Sequence, residues 1–591
     1  MLNKNRLKLL LRTFLHFVKL IYVSDKLKVI FYTTLIAITG LSSAVNIYFF
    51  KYFIDSLGNF DKNNLSNVLA LLIYAGSQTI WSYLDDFSDF LRTQIKDKVG
   101  LVIQKEYLEK LNTISYDSFE NSKISDMISK IDNWIDWRPI IEFFPVLSYL
   151  LPLCVKLILS VLVILNLGFP AVIILIIFSI PQYYVMSRIG DQEYSISDTR
   201  SARSRLYYYL TRLNVDFASK LEVRLYNSFT RLWVKIENIF KSFISGNLIA
   251  ARRTLMLKVS GETLQILGQL IVIYFFVIRV SDGMTLGNII ANISFITLFT
   301  NSFTSLLERI STLRTDLVYF SDYIRLLDIK DEDRGNQQNK TDFEVLEFRD
   351  ISFKYEGSEK YVLENFNLTI KKGDKLAIVG LNGSGKTTFL KLLLRFYLPT
   401  YGKILMNGVD ISEIDLVTYL KEFSAIFQNF SEYSFTAREN IEFGNPQVID
   451  EELYKRSKFL ADADEVIASL ENLDEQLLTK RFEGGVSLSG GQWQRIAFAR
   501  MYYRDAEILI LDEPTSAIDA IAEAKIFKRV HEVSKDKTVI IISHRFSTVR
   551  EADRIIVLSE GKIIEDGNHE ELISQNGLYA EMFNAQAEGY K

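Results

Sequence analysis

Long uncharged apolar runs dominate the first 310 residues: Val29–Phe50, Leu65–Leu84, Phe143–Val155, Leu157–Ser187, Thr263–Ile278 and Met284–Leu307. About 20 apolar residues cross a bilayer. With the turn at Asn166-Leu-Gly-Phe-Pro170 splitting the longest run, the pattern predicts six membrane-spanning helices, over roughly 29–50, 65–84, 143–165, 169–187, 261–279 and 285–307. Core helices of a soluble domain are rarely this long and this free of charge. The segments 85–141 and 188–260 carry both signs of charge, keep periodic apolar positions and have no proline over 86–138 or 182–260, so they read as helices. At about 1.5 Å per residue, 25 helical residues project on the order of 37 Å beyond the membrane. Leu7, Leu10, Leu11, Phe14, Leu15 and Val18 follow helical spacing, which makes residues 1–28 an amphipathic helix lying at the inner interface. No small-residue cleavage site follows, so this stretch does not read as a removable signal. Residues 29–328 form the membrane domain, polar residues 329–342 a linker, and 343–591 a second domain of short strands and amphipathic helices.

Charge placement sets the expected orientation. Lys4, Arg6, Lys8, Arg12, Lys19, Lys26 and Lys28 crowd the N-terminal stretch, whereas the 52–64 loop has only Lys62 and the 166–170 turn none. By the positive-inside rule the N-terminus, both long charged segments and the second domain are cytoplasmic. The chain of 591 residues has a formal net charge of -4, which offers no basic excess for nucleic acid. A lone cysteine, Cys154, excludes an intrachain disulfide, and with four histidines it leaves no Cys/His zinc set of ordinary spacing.

The second domain carries phosphate chemistry. The buried-strand pattern Leu376–Val379 runs into Gly380-Leu-Asn382-Gly383-Ser384-Gly385-Lys386-Thr387-Thr388, which fits G-x-x-x-x-G-K-[ST]. Glycines let backbone N–H groups turn toward phosphate oxygens, and the following helix presents its positive end. Lys386 would bridge the β- and γ-phosphates and Thr387 would hold Mg²⁺. Glu507–Leu511 is a second strand, ending in Asp512 and Glu513. Side chains alternate along a strand, so the two acids can take different roles: Asp512 toward Mg²⁺, Glu513 polarising the attacking water. Leu488-Ser489-Gly490-Gly491-Gln492 precedes a helical run and is a second surface of hydroxyl and glycine N–H groups suited to phosphate.

Together these motifs resemble the ATP-binding cassette superfamily, and the order of spans then cassette resembles its exporter-type half-transporters. The resemblance implies an all-α six-helix membrane domain followed by an α/β P-loop NTPase domain. It also implies that Tyr355 stacks on adenine, that Gln428 touches Mg²⁺ and the attacking water, and that Ser516–Asp519 communicates between sites. His544 matches the histidine that contacts the γ-phosphate. Ser118–Ile124 and Glu222–Thr230 match the short coupling helices. Thr479-Lys-Arg-Phe-Glu-Gly-Gly485 departs from the usual stretch ahead of the signature, and Phe482-Glu-Gly-Gly-Val-Ser-Leu-Ser-Gly-Gly-Gln-Trp-Gln494 is similar to a subgroup that includes exporters of lanthipeptides and other modified peptides. No cysteine peptidase domain precedes the spans, so the chain does not resemble exporters that cleave a leader peptide themselves. The family pattern places each ATP between Lys386 of one chain and Ser489 of another, which implies a dimer, a homodimer because every catalytic position is filled, with a heterodimer as the alternative.

The expected function is ATP-driven efflux of an amphipathic peptide, lipid or drug-like compound by alternating access, from within a lipid membrane. A lipid flippase and an ATP-gated channel or sensor are the competing readings; the spans argue against a soluble nucleic-acid ATPase, and import is the minor case. In the pathway, Ser294, Thr297, Asn301 and Thr304 share one face of the last span, either as a cavity wall or as helix–helix hydrogen bonds; Gln265 and Gln269 carry the same two readings. Lys156 lies ten residues before Asn166, about 15 Å below the outer turn. A charge there faces a cavity or an acidic partner, or else snorkels to the interface.

Overall fold

The computed structural model describes residues 4–58, 65–136, 139–278, 284–337, 343–513, 529–532, 534, 536–543 and 545–588. They fall into two units: Met1–Ile114 with Asn121–Lys330, and Ser115–Glu120 with Asp331–Lys591.

The first unit is helical throughout: α1 (Lys4–Ser24), α2 (Lys26–Thr39), α3 (Ser42–Gly58), α4 (Leu65–Thr113), α5 (Ser122–Asp136), α6 (Pro139–Ile164), α7 (Phe169–Val215), α8 (Phe217–Leu225), α9 (Phe229–Ile278) and α10 (Leu286–Leu327). Among the described residues, Lys26–Leu57, Ser148–Leu167, Phe229–Ile278 and Leu286–Leu327 are long and apolar enough to cross a membrane, with a shorter apolar stretch at Phe169–Gln182. The uncharged run Leu65–Leu84 opens α4 but is diluted by polar residues, and one of them pairs across helices: Ser77 Oγ donates to Asn46 Oδ1 on α3 at 2.8 Å. The run Val29–Phe50 is not one helix; the chain turns at Gly40–Leu41, where a Cβ on Gly40 would sit 2.9 Å from Val155 Cβ. Conversely, α7 continues through Pro181, so the spans and the long charged segments join into single helices of 49, 47 and 50 residues in α4, α7 and α9. Glycine lets α7 and α9 approach closely: a Cβ on Gly268 would meet Phe178 Cβ at 2.5 Å.

α1 has two apolar faces. Leu10, Phe17, Leu20 and Ile21 are buried, Phe17 against Phe320 at 4.8 Å between centroids, while Leu11, Leu15 and Tyr22 stay exposed. An outward apolar face beside lysines is what a helix at a lipid surface presents. Arg12 grips Asp328 with two bonds of 2.6 and 2.7 Å, and His16 and Tyr323 both reach Glu106, at 3.0 and 2.7 Å.

The second unit holds two sheets. An antiparallel sheet orders β2 (Leu363–Lys371), β1 (Val345–Phe353), β4 (Tyr401–Met406) and β5 (Val409–Asp410). The larger sheet runs β10 (Lys562–Gly567), β9 (Arg554–Ser559), β3 (Lys375–Gly380), β8 (Thr538–Ile542), β7 (Ile508–Asp512) and β6 (Phe423–Ile426). β9, β3, β8, β7 and β6 are parallel neighbours, and β3, β7 and β8 are almost wholly buried, matching the continuous apolar runs of a sheet covered on both faces. α11 (Lys386–Leu393) follows β3.

Residues Asp331–Gln337 are expected as a free linker, yet they are bonded into the second unit. Asn336 N and Gln337 N donate to Glu413 O, Leu416 N to Arg334 O, and Arg395 donates to Asp333 O. These bonds run through the backbone and one buried arginine, which polar composition does not reveal.

Candidate nucleotide-binding site

The parallel order puts the ends of β3, β8 and β7 side by side, and ligands of open α/β sheets bind at such carboxyl ends. The loop after β3 contains Gly380, Gly383 and Gly385 at φ 154°, 80° and 107°. A Cβ at Gly380 would lie 2.3 Å from Leu558 O, and one at Gly385 would lie 2.8 Å from Leu363 Cδ2, so both positions demand glycine twice over; Gly383 borders open space. Lys386 begins α11 and is buried; its Nζ donates to Gly380 O at 2.7 Å and Leu381 O at 3.1 Å. Burial pulls its pKa down, against the opposing pull of Glu513 and Asp512.

Asp512 ends β7 and Glu513 lies just past it, so strand alternation does not set the two acids apart, and both meet Gln428. Burial and then the neighbouring Glu513 push Asp512 up to about 6, and it accepts the Gln428 backbone N–H. Glu513 accepts Gln428 Nε2 at 2.8 Å and sits at φ 46°, a left-handed conformation that costs a non-glycine residue roughly 1–2 kcal/mol. Gln428, just past β6, thus holds both carboxylates.

The residues present fit a nucleotide with its divalent cation. Ser384 Oγ is buried with no hydrogen-bond partner among the described residues, Thr387 is exposed at the start of α11, and two adjacent acids lean on one lysine. Thr388 is different from its neighbour: it is buried, and its hydroxyl shares a 3.0 Å hydrogen bond with Tyr355 OH. Tyr355 is held edge-on by Phe353 and Tyr397, at centroid distances of 5.0 and 5.4 Å. Tyr355, Asn382 and the rest of the loop to Thr388, Gln428, Asp512 and Glu513 are therefore gathered in one region. His544 and Ser516–Asp519 lie outside the described residues.

The signature motif is built separately. Ser489 caps the helix Gly490–Tyr503 in a reciprocal box: Gln492 N donates to Ser489 Oγ at 3.3 Å and Ser489 N to Gln492 Oε1 at 2.8 Å. Ser489 and Gly490 are exposed, and Gly491 is half-buried. Among the described residues no hydrogen bond joins this motif to the phosphate loop.

The family model for ABC transporters matches residues 363–516. Over 556 residues the chain is 32% identical to the subtilin transport ATP-binding protein SpaT of Bacillus subtilis, covering 92% of this chain and 89% of that one. The chain belongs to the ABC transporter family. It is also 27% identical over 585 residues to the nisin transport ATP-binding protein NisT of Lactococcus lactis subsp. lactis, covering 96% and 95% of the two chains. Its fold matches a bacterial Atm1-family ABC exporter with ATP bound, with a TM-score of 0.84, 22% identity, and 95% of this chain and 98% of that one covered. As an ABC exporter with fused membrane and nucleotide-binding parts, it couples ATP hydrolysis to movement of a substrate out across a membrane.

One group was not foreseen from sequence: Lys391 and Tyr397 flank Tyr355. In the first unit Lys156, expected to face a cavity or an acidic partner or to snorkel, shares a cavity of about 430 Å³ with Tyr149, Ser305, Glu308 and Arg309, which were not singled out. Glu308 was legible, being the first charge after the last uncharged run; Lys391 was not, since nothing marks one lysine on an amphipathic helix.

Proposed function

We propose that the chain exports a modified amphipathic peptide as one half of a two-chain assembly. The gathering of Lys386, Gln428, Asp512 and Glu513 at the strand ends, in a chain that also carries the membrane helices, is the observation behind this reading. Lys386 and the loop N–H groups from Gly380 to Thr388 hold the phosphates, and Tyr355 stacks on adenine. Thr387, Gln428 and Asp512 hold Mg²⁺, which when bound neutralises phosphate charge. Glu513 orients and polarises the attacking water, and His544 contacts the γ-phosphate. Ser489 and Gly490, which are exposed, complete the site of a second copy together with Gly491 and Gln492, for among the described residues this motif makes no hydrogen bond to its own chain's phosphate loop; a homodimer is favoured over a heterodimer because each catalytic position is filled. Nucleotide favours the closed pair only through its greater affinity for that state.

The N-terminus and the nucleotide-binding unit are cytoplasmic. Likeness to the subtilin and nisin transport proteins over nearly the whole chain supports a lanthipeptide-type substrate. The cavity at Lys156 suits such a molecule. Among the described residues the Lys156 ammonium and the Glu308 carboxylate have no hydrogen bond or ion pair, and Arg309 lies 4.8 Å over the Tyr149 ring, so both signs are available to peptide carboxylates and amines. Thr297 and Thr304 return their hydroxyls to Ile293 O and Thr300 O on their own helix. The test is ATP-driven uptake of fluorescently labelled nisin into inverted vesicles. Uptake that stops with Glu513→Gln and falls with Lys156→Gln is expected; intact ATP hydrolysis without uptake of this or related lanthipeptides would overturn the peptide reading.

A further inference from the structure

The segment Ser115–Glu120, which connects α4 to α5, belongs to the nucleotide-binding unit and docks on an aromatic cluster at the end of α11. Tyr116 stacks on Phe396 with centroids 5.0 Å apart and meets Tyr397 edge-on at 6.0 Å. One cation sits at the centre. Lys391 Nζ lies 5.8 Å from the Tyr116 ring, 5.4 Å from Tyr355 and 5.2 Å from Tyr397, and it donates to Glu120 at 3.2 Å. The neighbouring Tyr397 and then Lys391 hold the Glu120 carboxyl below its usual range. Three tyrosines around an ammonium form the kind of cage that recognises cations, and here each ring comes from a different part of the chain. Tyr116 belongs to the segment between membrane-unit helices, Tyr355 to the base site, and Tyr397 to the stretch just after α11, the helix that starts at the phosphate loop.

We infer that Lys391 is a positioning residue that couples adenine binding at Tyr355 to docking of Tyr116–Glu120. The inference rests on the reading of Tyr355 as the base-stacking residue. A base against Tyr355 fixes that ring, the fixed ring holds Lys391, and Lys391 holds Tyr116 and Glu120. The nucleotide then acts on the membrane unit through its base as well as through its γ-phosphate. Coupling of this kind is reciprocal, so the docked segment must strengthen base binding by the same factor by which the base strengthens docking.

The experiment uses the full chain in nanodiscs and compares Mg-ATP with Mg-tripolyphosphate, which has phosphates and no base. Hydrogen exchange of peptides spanning 115–120 and equilibrium affinity for each compound are measured. In the unaltered chain ATP slows exchange of the segment and tripolyphosphate does not. Lys391→Met, and independently Glu120→Gln and Tyr116→Ala, remove that difference and lower the ATP-to-tripolyphosphate affinity ratio by about 3- to 10-fold, the scale of one or two cation–π contacts. Lys391→Arg preserves both readouts. An affinity ratio within twofold of the unaltered value in all three variants, with ATP still protecting the segment, overturns the coupling. Tyr355→Ala separates the two ideas: if it leaves the ratio unchanged, the base-stacking reading itself is wrong.

Discussion

Arg395 follows the end of α11 and is 3% exposed, at φ 55°. Its guanidinium donates to Ile414 O at 2.6 Å, Asp333 O at 2.6 Å and Ser412 O at 3.2 Å, and so pins the segment leaving α10 to the nucleotide-binding unit. Burial draws its pKa below the usual arginine value, with Glu332 the largest opposing pull, so the charge is kept at the expense of solvation. Arg395→Met keeps much of the stem but strands three carbonyls. Each bond from a charged donor is worth roughly 1.5–3 kcal/mol and each orphaned acceptor costs roughly 1–3 kcal/mol, while losing the buried charge returns part of that sum; a net loss of about 3 kcal/mol follows. For a unit of this size that is a fall in Tm of roughly 6–12 °C. Differential scanning fluorimetry of the detergent-solubilised protein reads it, and proteolysis around residues 331–342 should accelerate in parallel. ATP affinity should change little, because the phosphate loop lies at the other end of α11. A Tm within 2 °C of the unaltered protein would refute the reasoning, and so would a stability loss without faster cleavage.

Gly268→Leu should weaken the α7–α9 pair by roughly 1–3 kcal/mol, since even a Cβ would lie 2.5 Å from Phe178; lower thermal stability in detergent checks it, and Gly76→Leu, where nothing lies within 4 Å, is the control. Ser489→Ala removes the helix cap at a cost of about 1 kcal/mol yet should abolish most ATPase activity, whereas a cap lesion alone would leave turnover at 25 °C largely intact. Tyr355→Phe loses the bond to Thr388 and keeps the stacking face, so the ATP KM should move less than threefold, while Tyr355→Ala should raise it by roughly 5- to 50-fold or more, as loss of one base stack implies. Chelating Mg²⁺ with EDTA should stop hydrolysis and leave nucleotide bound, as measured with a fluorescent ATP analogue.

The parts that could be read from sequence are those whose physics is local. Charge-free runs report membrane helices because a charge in hydrocarbon is expensive at each position, and Gly380–Thr388 reports a phosphate loop because loop, lysine and helix start are consecutive. The adjacency of Asp512 and Glu513 is likewise written in two letters. The turn at Gly40–Leu41 could not be read, since it depends on close packing against Val155. Nor could the attachment of Asp331–Gln337, whose partners are carbonyls and a distant arginine. The Lys391 cluster unites residues as far apart as Glu120 and Tyr397, and no spacing rule links such segments. The sharing of one cavity by Lys156 and Glu308 needed α6 and α10 to be placed side by side, although the cost of a mid-span lysine pointed toward a cavity or an acidic partner.

The central claim is that an ATP site is completed by the signature motif of a second copy. Disulfide trapping tests it most directly: Asn382→Cys and Ser489→Cys are introduced together, with the native Cys154 replaced by serine, and the protein in nanodiscs is oxidised with and without Mg-ATP. The account predicts an inter-chain disulfide whose yield rises sharply with Mg-ATP and which is absent from either single-cysteine protein. A yield indifferent to nucleotide, or a bond formed only within one chain, would contradict it.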